Sequence, residues 1–207
     1  MSFQDLLATT QFAALLFDCD GTIAHSMPVH LVAWNQALAE HGIVLTEENH
    51  VKWAGRPTRS IVELLNHEQG LKMSPSHVTD KKEKIYVSLI EMVNAVPDVQ
   101  ETIKANFGKV PMAVVSGSPR ESVIKTLTHL GLMPYFDCVL GFEDYAHGKP
   151  APDCFLNAAS RLKVPPERCL VFEDGELGIQ AAQAAHMRWV RVIPERGGFD
   201  LEGSDFR

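Results

Sequence analysis

Two aspartates separated by one residue are the most chemically suggestive feature of this 207-residue sequence. Asp18 and Asp20 lie at the end of the apolar run at residues 12–17, a pattern typical of a buried strand that ends in a loop. Side chains two positions apart on an extended segment point to the same side. In open α/β sheets, ligands bind at the carboxyl ends of strands. The pair therefore predicts a nucleophile or metal ligand together with a second acid.

Polar residues also follow or lie between the later predicted strands and helices. They comprise a hydroxyl with a glycine, a lysine between a glycine and a proline, and an acidic pair. Hydroxyl and backbone N–H groups before a helix bind phosphate, and a lysine neutralises it. Taken singly, each of these fits an ordinary turn or surface loop, whereas together they predict a phosphate site beside a Mg²⁺ site. The residues are Ser116, Gly117, Lys149, Glu173 and Asp174.

The order of predicted elements indicates an α/β fold. Strand-like runs alternate with helical patterns in the second half of the chain, which is typical of a parallel sheet covered by helices on both faces. Ser118 is expected to cap a helix that has Pro119 as its first residue, Glu121 in a capping box and Gly131 as its stop. The strand-like runs are residues 12–17, 111–115, 138–140, 169–172 and 189–193.

Residues 27–95 interrupt this alternation. They contain helical patterns and no convincing strand, so they predict an all-helical insertion after the first strand. An insertion that emerges at the active end of a sheet is well placed to act as a lid. The expected division is a core of residues 1–25 plus 95–207 and a cap of residues 26–94. The polar, glycine-containing tail at 197–207 is expected to fray.

Composition narrows the class of protein. Nineteen basic and 26 acidic residues give a net charge of −7, which argues against a basic nucleic-acid-binding face. The four cysteines are widely spaced, as is typical of reduced thiols in a cytoplasmic protein. We find no signal-peptide or membrane-span pattern. The expectation is a cytoplasmic monomer without membrane or nucleic-acid partners.

Four polar motifs, in this order along the chain, resemble those of the haloacid dehalogenase (HAD) superfamily of phosphohydrolases. They are the Asp18/Asp20 pair, the Ser116–Gly117 pair, Lys149 and the Glu173–Asp174 pair. The helical insertion, with residues 26–30 and Trp34, resembles the cap of its β-phosphoglucomutase-like branch. Within that branch the sequence is most similar to small sugar-phosphate phosphatases, including those that act on fructose 1-phosphate or 6-phosphogluconate. The resemblance implies a Rossmann-like HAD core and a Mg²⁺-dependent reaction through an aspartyl-phosphate.

The resemblance also implies roles for individual residues. One aspartate is the nucleophile, and the other is the general acid for the leaving alcohol and then the base for water. The metal ligands are two aspartates and one backbone carbonyl, with a glutamate in support. The resemblance implies that Asp18 is the nucleophile and Asp20 the acid and base. It implies that Asp18, the backbone carbonyl of Asp20 and Asp174 bind the metal, with Glu173 in support. Phosphate is held by Ser116, Gly117 and Lys149.

Substrate choice depends on the cap, where alternatives stay open. Arg56 and Arg59 flank a glycine-bearing loop and either contact substrate or are solvated helix-end charges. His30 either contacts Asp20, as its counterpart does in the mutase, or is a hydrogen-bonded interface residue.

Three functional classes follow from this. Mutases of the branch carry a lysine and an arginine where this chain has Ala54 and Thr58, which favours a phosphatase over a β-phosphoglucomutase. A catalytically silent sugar-phosphate binder is the third alternative. It would be expected to lack one of the two aspartates, and both are present.

Overall fold

A six-stranded sheet forms the core of the computed structural model, which describes residues 12–205. Its strand order is β5-β4-β1-β6-β7-β8, and a separate two-stranded sheet pairs β2 with β3. The strands are β1 Ala14–Phe17, β2 Ala24–His25, β3 Asn94–Ala95, β4 Met112–Val115, β5 Cys138–Leu140, β6 Cys169–Glu173, β7 Arg188–Ile193 and β8 Gly198–Asp205. The helices are α1 Met27–Leu38, α2 Glu47–Lys52, α3 Thr58–Gln69, α4 Pro75–Ser88, α5 Pro97–Asn106, α6 Arg120–His129, α7 Asp153–Leu162 and α8 Glu176–Ala184.

Five strands of the large sheet run parallel, which confirms the α/β prediction. Strand β1 lies between β4 and β6, with Phe17 opposite Val114 on one side and Phe172 on the other. Strand β8 is the exception, because it pairs antiparallel with β7. The expectation that the tail frays is therefore wrong for residues 198–205, since the exposed edge of β7 supplies backbone partners that the sequence pattern does not reveal.

Alternate residues of the central strands face opposite layers of helices. On β1, Leu15 and Phe17 pack with residues of α5 and α6 in one hydrophobic cluster. Ala14 and Leu16 pack with residues of α7 and α8 in another. A strand buried on both faces reads as a continuous apolar run, and this is the pattern at residues 12–17.

Helices α1–α4 lie in the segment that the sequence predicts to be the cap, and this segment has a hydrophobic cluster of its own around Trp34, Trp53 and Leu65. The chain enters and leaves the cap through the short ribbon in which Ala24 pairs with Ala95 and His25 with Asn94. The prediction that residues 27–95 contain no strand is wrong at Asn94–Ala95. Two residues carry no periodicity, so their strand pairing depends on tertiary contact alone.

The start of α6 differs from its predicted form. Pro119 is the N-cap residue, and the helix begins at Arg120 without a side-chain cap. The Ser118 hydroxyl instead donates a hydrogen bond to Asp20. Gly131 follows the helix with a φ of 68°, as expected of a stop. The predicted cap at Ser118 is thus wrong because its hydroxyl serves the neighbouring aspartate.

Candidate active site

The carboxyl ends of three central strands meet at one edge of the sheet and hold the polar residues singled out in the sequence. Asp18 directly follows β1, Ser116 follows β4, and Glu173 is the last residue of β6. Lys149 reaches the same place from the loop before α7, and its side chain is buried. Parallel pairing in register brings these residues together, because strands that run the same way end at the same edge.

Lys149 joins two buried carboxylates. Its Nζ atom lies 2.5 Å from Asp18 Oδ1 and 2.6 Å from Glu173 Oε2, and it also donates to the Val115 carbonyl at 3.4 Å. Burial would lower the pKa of Lys149, but the two carboxylates outweigh it and raise that pKa well above its ordinary value. The lysine is therefore charged, and it fixes the nucleophile candidate in place.

Asp20 is held by hydrogen bonds from both sides. Its Oδ1 atom accepts from Ser26 at 2.7 Å and lies 2.8 Å from His30 Nε2. Its Oδ2 atom accepts from Ser118 at 2.8 Å and from Ser116 at 3.3 Å. Burial alone would raise the pKa of Asp20, but the neighbouring His30 imidazole, hydrogen bonds from His30 and Ser26, and the Lys82 charge hold that pKa well below its usual range. His30 thus contacts Asp20, as one of its two interpretations required.

Three carboxylates are close enough to bind one metal ion. Ligand oxygens of Asp18, Glu173 and Asp174 all lie within 4.8 Å of one another. Burial and the Glu173 charge raise the pKa of Asp174 to about 8, and burial is the main cause of the raised pKa of Asp18. A compact set of carboxylates that repel one another fits a hard divalent cation such as Mg²⁺.

The three acidic residues do not contribute equally to this cluster. Glu173 uses Oε2 for Lys149, and its Oε1 accepts from the Gly175 N–H at 3.0 Å. Asp174 accepts from the Thr22 hydroxyl at 3.0 Å. The Asp20 side chain lies outside the cluster, bound to its own donors. Glu173 consequently acts on Lys149 and the following loop, which leaves Asp18 and Asp174 as the more available ligands.

The loop at residues 18–21 approaches Asp174 so closely that its last position requires glycine. Gly21 has a φ of 94°, and a Cβ atom there would lie 2.2 Å from Asp174 Oδ2. Gly117 plays a similar part toward the cap, because a Cβ on it would lie 2.7 Å from the Gly55 carbonyl. The cap loop therefore rests directly on the predicted phosphate-binding loop.

The cleft between cap and core is small in this arrangement. Its volume is about 50 Å³, enough for a few water molecules. A sugar phosphate is larger than this volume, and the adjoining groove described below is larger still. Polar cap residues line the cleft opposite Asp18 and Asp20; they are His30, His50, Arg56, Thr58 and Lys82.

The two cap arginines occupy different surroundings. Arg56 is exposed at the mouth of the cleft and also lines a neighbouring groove of about 750 Å³. Arg59 is exposed and pairs with Glu63 one helical turn on, with 3.3 Å between Nε and Oε1. The structure thus brings Arg56 to the cleft and leaves Arg59 on the outer side of α3.

Sequence reasoning missed several residues of the cleft. Lys82 belongs to a run of charged residues in α4 that is typical of a solvated helix face, yet it is buried. His50 is also buried, and burial lowers its pKa to about 3. Ser26 and Ser118 were not predicted to contact Asp20: Ser118 was expected to cap a helix, and Ser26 was noted only as part of the cap motif. Their proximity to Asp20 comes from tertiary packing, so no local pattern could have identified them.

Comparison with known proteins places the chain in a family. The model of the haloacid dehalogenase-like hydrolases, described as a hydrolase, matches residues 12–186. The chain therefore belongs to the haloacid dehalogenase-like hydrolase family, which confirms the family prediction. Among the described residues, no helix is both long and apolar enough to cross a membrane.

Individual relatives point the same way. The fructose-1-phosphate phosphatase YqaB of Escherichia coli strain K12 is 38% identical over 88% of this chain and 97% of its own length. A phosphorylated carbohydrates phosphatase of Thermotoga maritima is 28% identical over 83% of this chain and 81% of its own. A β-phosphoglucomutase structure from Clostridium difficile has a TM-score of 0.80 at 25% identity, covering 87% of this chain and 84% of that one. The prediction of an enzyme of the phosphatase class is confirmed.

Proposed function

We propose that this protein is a Mg²⁺-dependent phosphatase of small sugar phosphates, of the fructose 1-phosphate or 6-phosphogluconate type. The observation that carries the proposal is the Asp18 carboxylate held by Lys149, with Asp20 two residues away on a separate set of donors. One carboxylate is thereby arranged for attack and the other for proton transfer, which is the division of labour that ester hydrolysis requires.

The first step transfers the phosphoryl group to the protein. An Asp18 oxygen attacks phosphorus, and the bond from phosphorus to the sugar oxygen breaks. Lys149 offsets the negative charge that would otherwise repel the phosphate from the carboxylate. Asp20 delivers a proton to the departing alkoxide, and His30, 2.8 Å away, can supply that proton to Asp20.

The second step releases phosphate. Asp20 accepts a proton from water, the water oxygen bonds to phosphorus, and the bond from phosphorus to the Asp18 oxygen breaks. The products are inorganic phosphate and the regenerated carboxylate. Ser116 and the N–H of Gly117 are proposed to hold the phosphate oxygens through both steps.

The carboxylate cluster fits the metal that this mechanism needs. Asp18, Asp174 and the backbone carbonyl of Asp20 would hold Mg²⁺, with Glu173 supporting through Lys149. When bound, the ion masks negative charge on the phosphate and on the nucleophile. Carboxylates with raised pKa values bind protons in competition with metal, so affinity is expected to fall as the pH is lowered.

The proposal also covers the substrate, the cellular compartment and the oligomeric state. The relative from Escherichia coli acts on fructose 1-phosphate, and the cleft here offers polar cap groups for sugar hydroxyls. All four cysteines lie within the described residues and carry free thiols, in keeping with a reducing cytoplasm. We expect a monomer, because the site is assembled from one chain.

A phosphatase accounts for the cap better than a mutase does. A mutase must hold a second phosphate through the reaction, and Arg59 is paired with Glu63 away from the cleft. Arg56 lies at the mouth, where it contacts solvent. Measuring glucose 6-phosphate formed from β-glucose 1-phosphate decides the matter: formation without stoichiometric phosphate release would replace this proposal with the mutase.

The aspartyl-phosphate is testable directly. We expect the wild-type protein, quenched during turnover of fructose 1-phosphate with Mg²⁺, to carry one phosphoryl group on the peptide that contains Asp18. Asp18→Asn should release no phosphate and carry no such group, while its melting temperature shows that it remains folded. Normal phosphate release by Asp18→Asn would refute the mechanism.

A further inference from the structure

Glu83, on cap helix α4, is a buried carboxylate that binds three other side chains. Its Oε1 atom accepts from Lys82 Nζ at 2.8 Å and from the Thr58 hydroxyl at 3.3 Å. Its Oε2 atom accepts from the Ser122 hydroxyl at 2.7 Å. Thr58 begins α3 next to the cap loop, whereas Ser122 belongs to core helix α6. Glu83 therefore joins two cap helices to the core.

A second buried hydrogen bond lies beside this one. Tyr86, one turn along α4, and Thr126, one turn along α6, have their hydroxyl oxygens 2.8 Å apart. Both bonds are sheltered from water, so separating α4 from α6 leaves buried polar groups without partners unless water enters. These two hydrogen bonds therefore fix where the cap packs on α6. Of the two, the bond made by Glu83 involves a charged group.

Lys82 connects Glu83 to the reaction cleft. Its ammonium group is buried, lies 5.7 Å from the Trp34 ring centre and 5.5 Å from that of Tyr86, and lines the cleft with Asp20. An ammonium has three N–H donors, and Glu83 accepts one of them. Without the Glu83 carboxylate, the buried Lys82 ammonium would lack its counter-ion, and we expect it to leave this position.

We propose that Glu83 is a positioning residue that couples two processes: closure of the cap on the core, and selection of substrates whose leaving group carries hydroxyls. Its bond to Ser122 requires the cap to rest on α6, and in that arrangement the same carboxylate fixes the Lys82 ammonium on the cleft wall opposite Asp20. The inference rests on the proposed phosphatase function and names the kind of substrate portion that the cap selects: a polar, hydroxylated one.

The test compares two substrates that differ in the leaving group. Fructose 1-phosphate has a hydroxylated leaving group that needs protonation, whereas p-nitrophenyl phosphate has a flat aromatic one that does not. For Glu83→Gln we expect kcat/KM on fructose 1-phosphate to fall by about tenfold or more, and kcat/KM on p-nitrophenyl phosphate by less than about threefold. Glu121→Gln is the matched control, since Glu121 is exposed on α6 and, within residues 12–205, forms an ion pair with Lys125 alone; both activities should stay unchanged.

Two further variants separate positioning from mere stability. Lys82→Met should lose the same preference for the sugar phosphate, and adding Glu83→Gln to it should cost less than about twofold more, because both act through one group. Ser122→Ala removes the link of Glu83 to the core but keeps the Lys82–Glu83 pair, and it should lower the preference by about threefold. If Glu83→Gln does not fold, Ser122→Ala decides alone.

The results that would overturn this inference differ from the result that would overturn the proposed function. Equal losses on both substrates with a lowered melting temperature would make Glu83 purely structural and overturn the inference, as would unchanged selectivity in Ser122→Ala. Failure of the underlying function would look different: the wild-type protein itself would release no phosphate from fructose 1-phosphate.

Discussion

At the scale of single residues, charge balance around Lys149 decides whether the site can exist. Asp18 and Glu173 are both buried, and each lies within 2.6 Å of the lysine ammonium. Two buried carboxylates this close to each other would otherwise repel and favour protonation. Lys149 partly offsets the effects of burial and of Glu173 on the pKa of Asp18 and holds its carboxylate in place, so one residue serves both stability and the proposed chemistry.

Lys149→Met gives a prediction with a definite pH dependence. The variant should lose about 3 kcal/mol in free energy of unfolding at pH 8, because two buried carboxylates lose their counter-ion. Burial and Glu173 already raise the pKa of Asp18, and removing Lys149 raises it further. Stability from a group with a raised folded-state pKa is present at low pH and is lost as the pH rises.

The difference in stability between wild type and Lys149→Met should therefore shrink as the pH falls from about 8 to about 5. Urea unfolding followed by circular dichroism measures this difference in stability. EDTA is included so that no bound metal ion contributes to it. A difference that is independent of pH, or one that widens toward acid, would show that the carboxylates are not coupled in this way.

Residues that end an apolar run could be predicted from the sequence, and those that depend on tertiary contact could not. Asp18 and Asp174 stand where buried strands stop, so their positions follow from local pattern. Lys82 and His50 sit on helices of the cap, and only packing turns them toward the cleft. Ser118 had a plausible local role as a helix cap, but its hydroxyl goes to Asp20.

At the scale of elements, β8 shows how a sheet edge recruits a polar segment. Its eight residues alternate little and include two glycines, so the sequence favours a loop. The unpaired edge of β7 reverses that preference, and Phe199 and Leu201 of β8 pack against the main hydrophobic cluster. The same reasoning explains β2 and β3, which are too short to carry a pattern.

A chain that ends at Gly197 tests the contribution of β8. Removing Phe199 and Leu201 from the core should lower the free energy of unfolding by about 2–4 kcal/mol, and it exposes the β7 edge to other chains. Urea unfolding and light scattering measure the two effects. Glu202→Ala, an exposed position on β8, is the control and should change neither. A truncated protein as stable as the full chain would refute this account of the tail.

At the scale of the whole molecule, the proposed mechanism divides the reaction between cap and core. In that proposal the core supplies the nucleophile, the acid and the carboxylate cluster, all on one sheet edge. The cap supplies the opposite wall and, by resting its Gly55 loop on Gly117, closes the cleft to about 50 Å³. The alternation of strands and helices, and its interruption at residues 27–95, led to the prediction of a core and a cap, but how closely these segments approach each other could be seen only from their contacts.

Phosphate release from a panel of sugar phosphates, with Mg²⁺ and with EDTA, tests the central claim most directly. Fructose 1-phosphate, 6-phosphogluconate and β-glucose 1-phosphate form the panel, and free phosphate is followed over time. We predict rapid release with Mg²⁺ from at least one of the first two compounds, and loss of that release in EDTA. Tight binding of these compounds without any release, in either condition, would contradict the account and leave a protein that binds sugar phosphates without hydrolysing them.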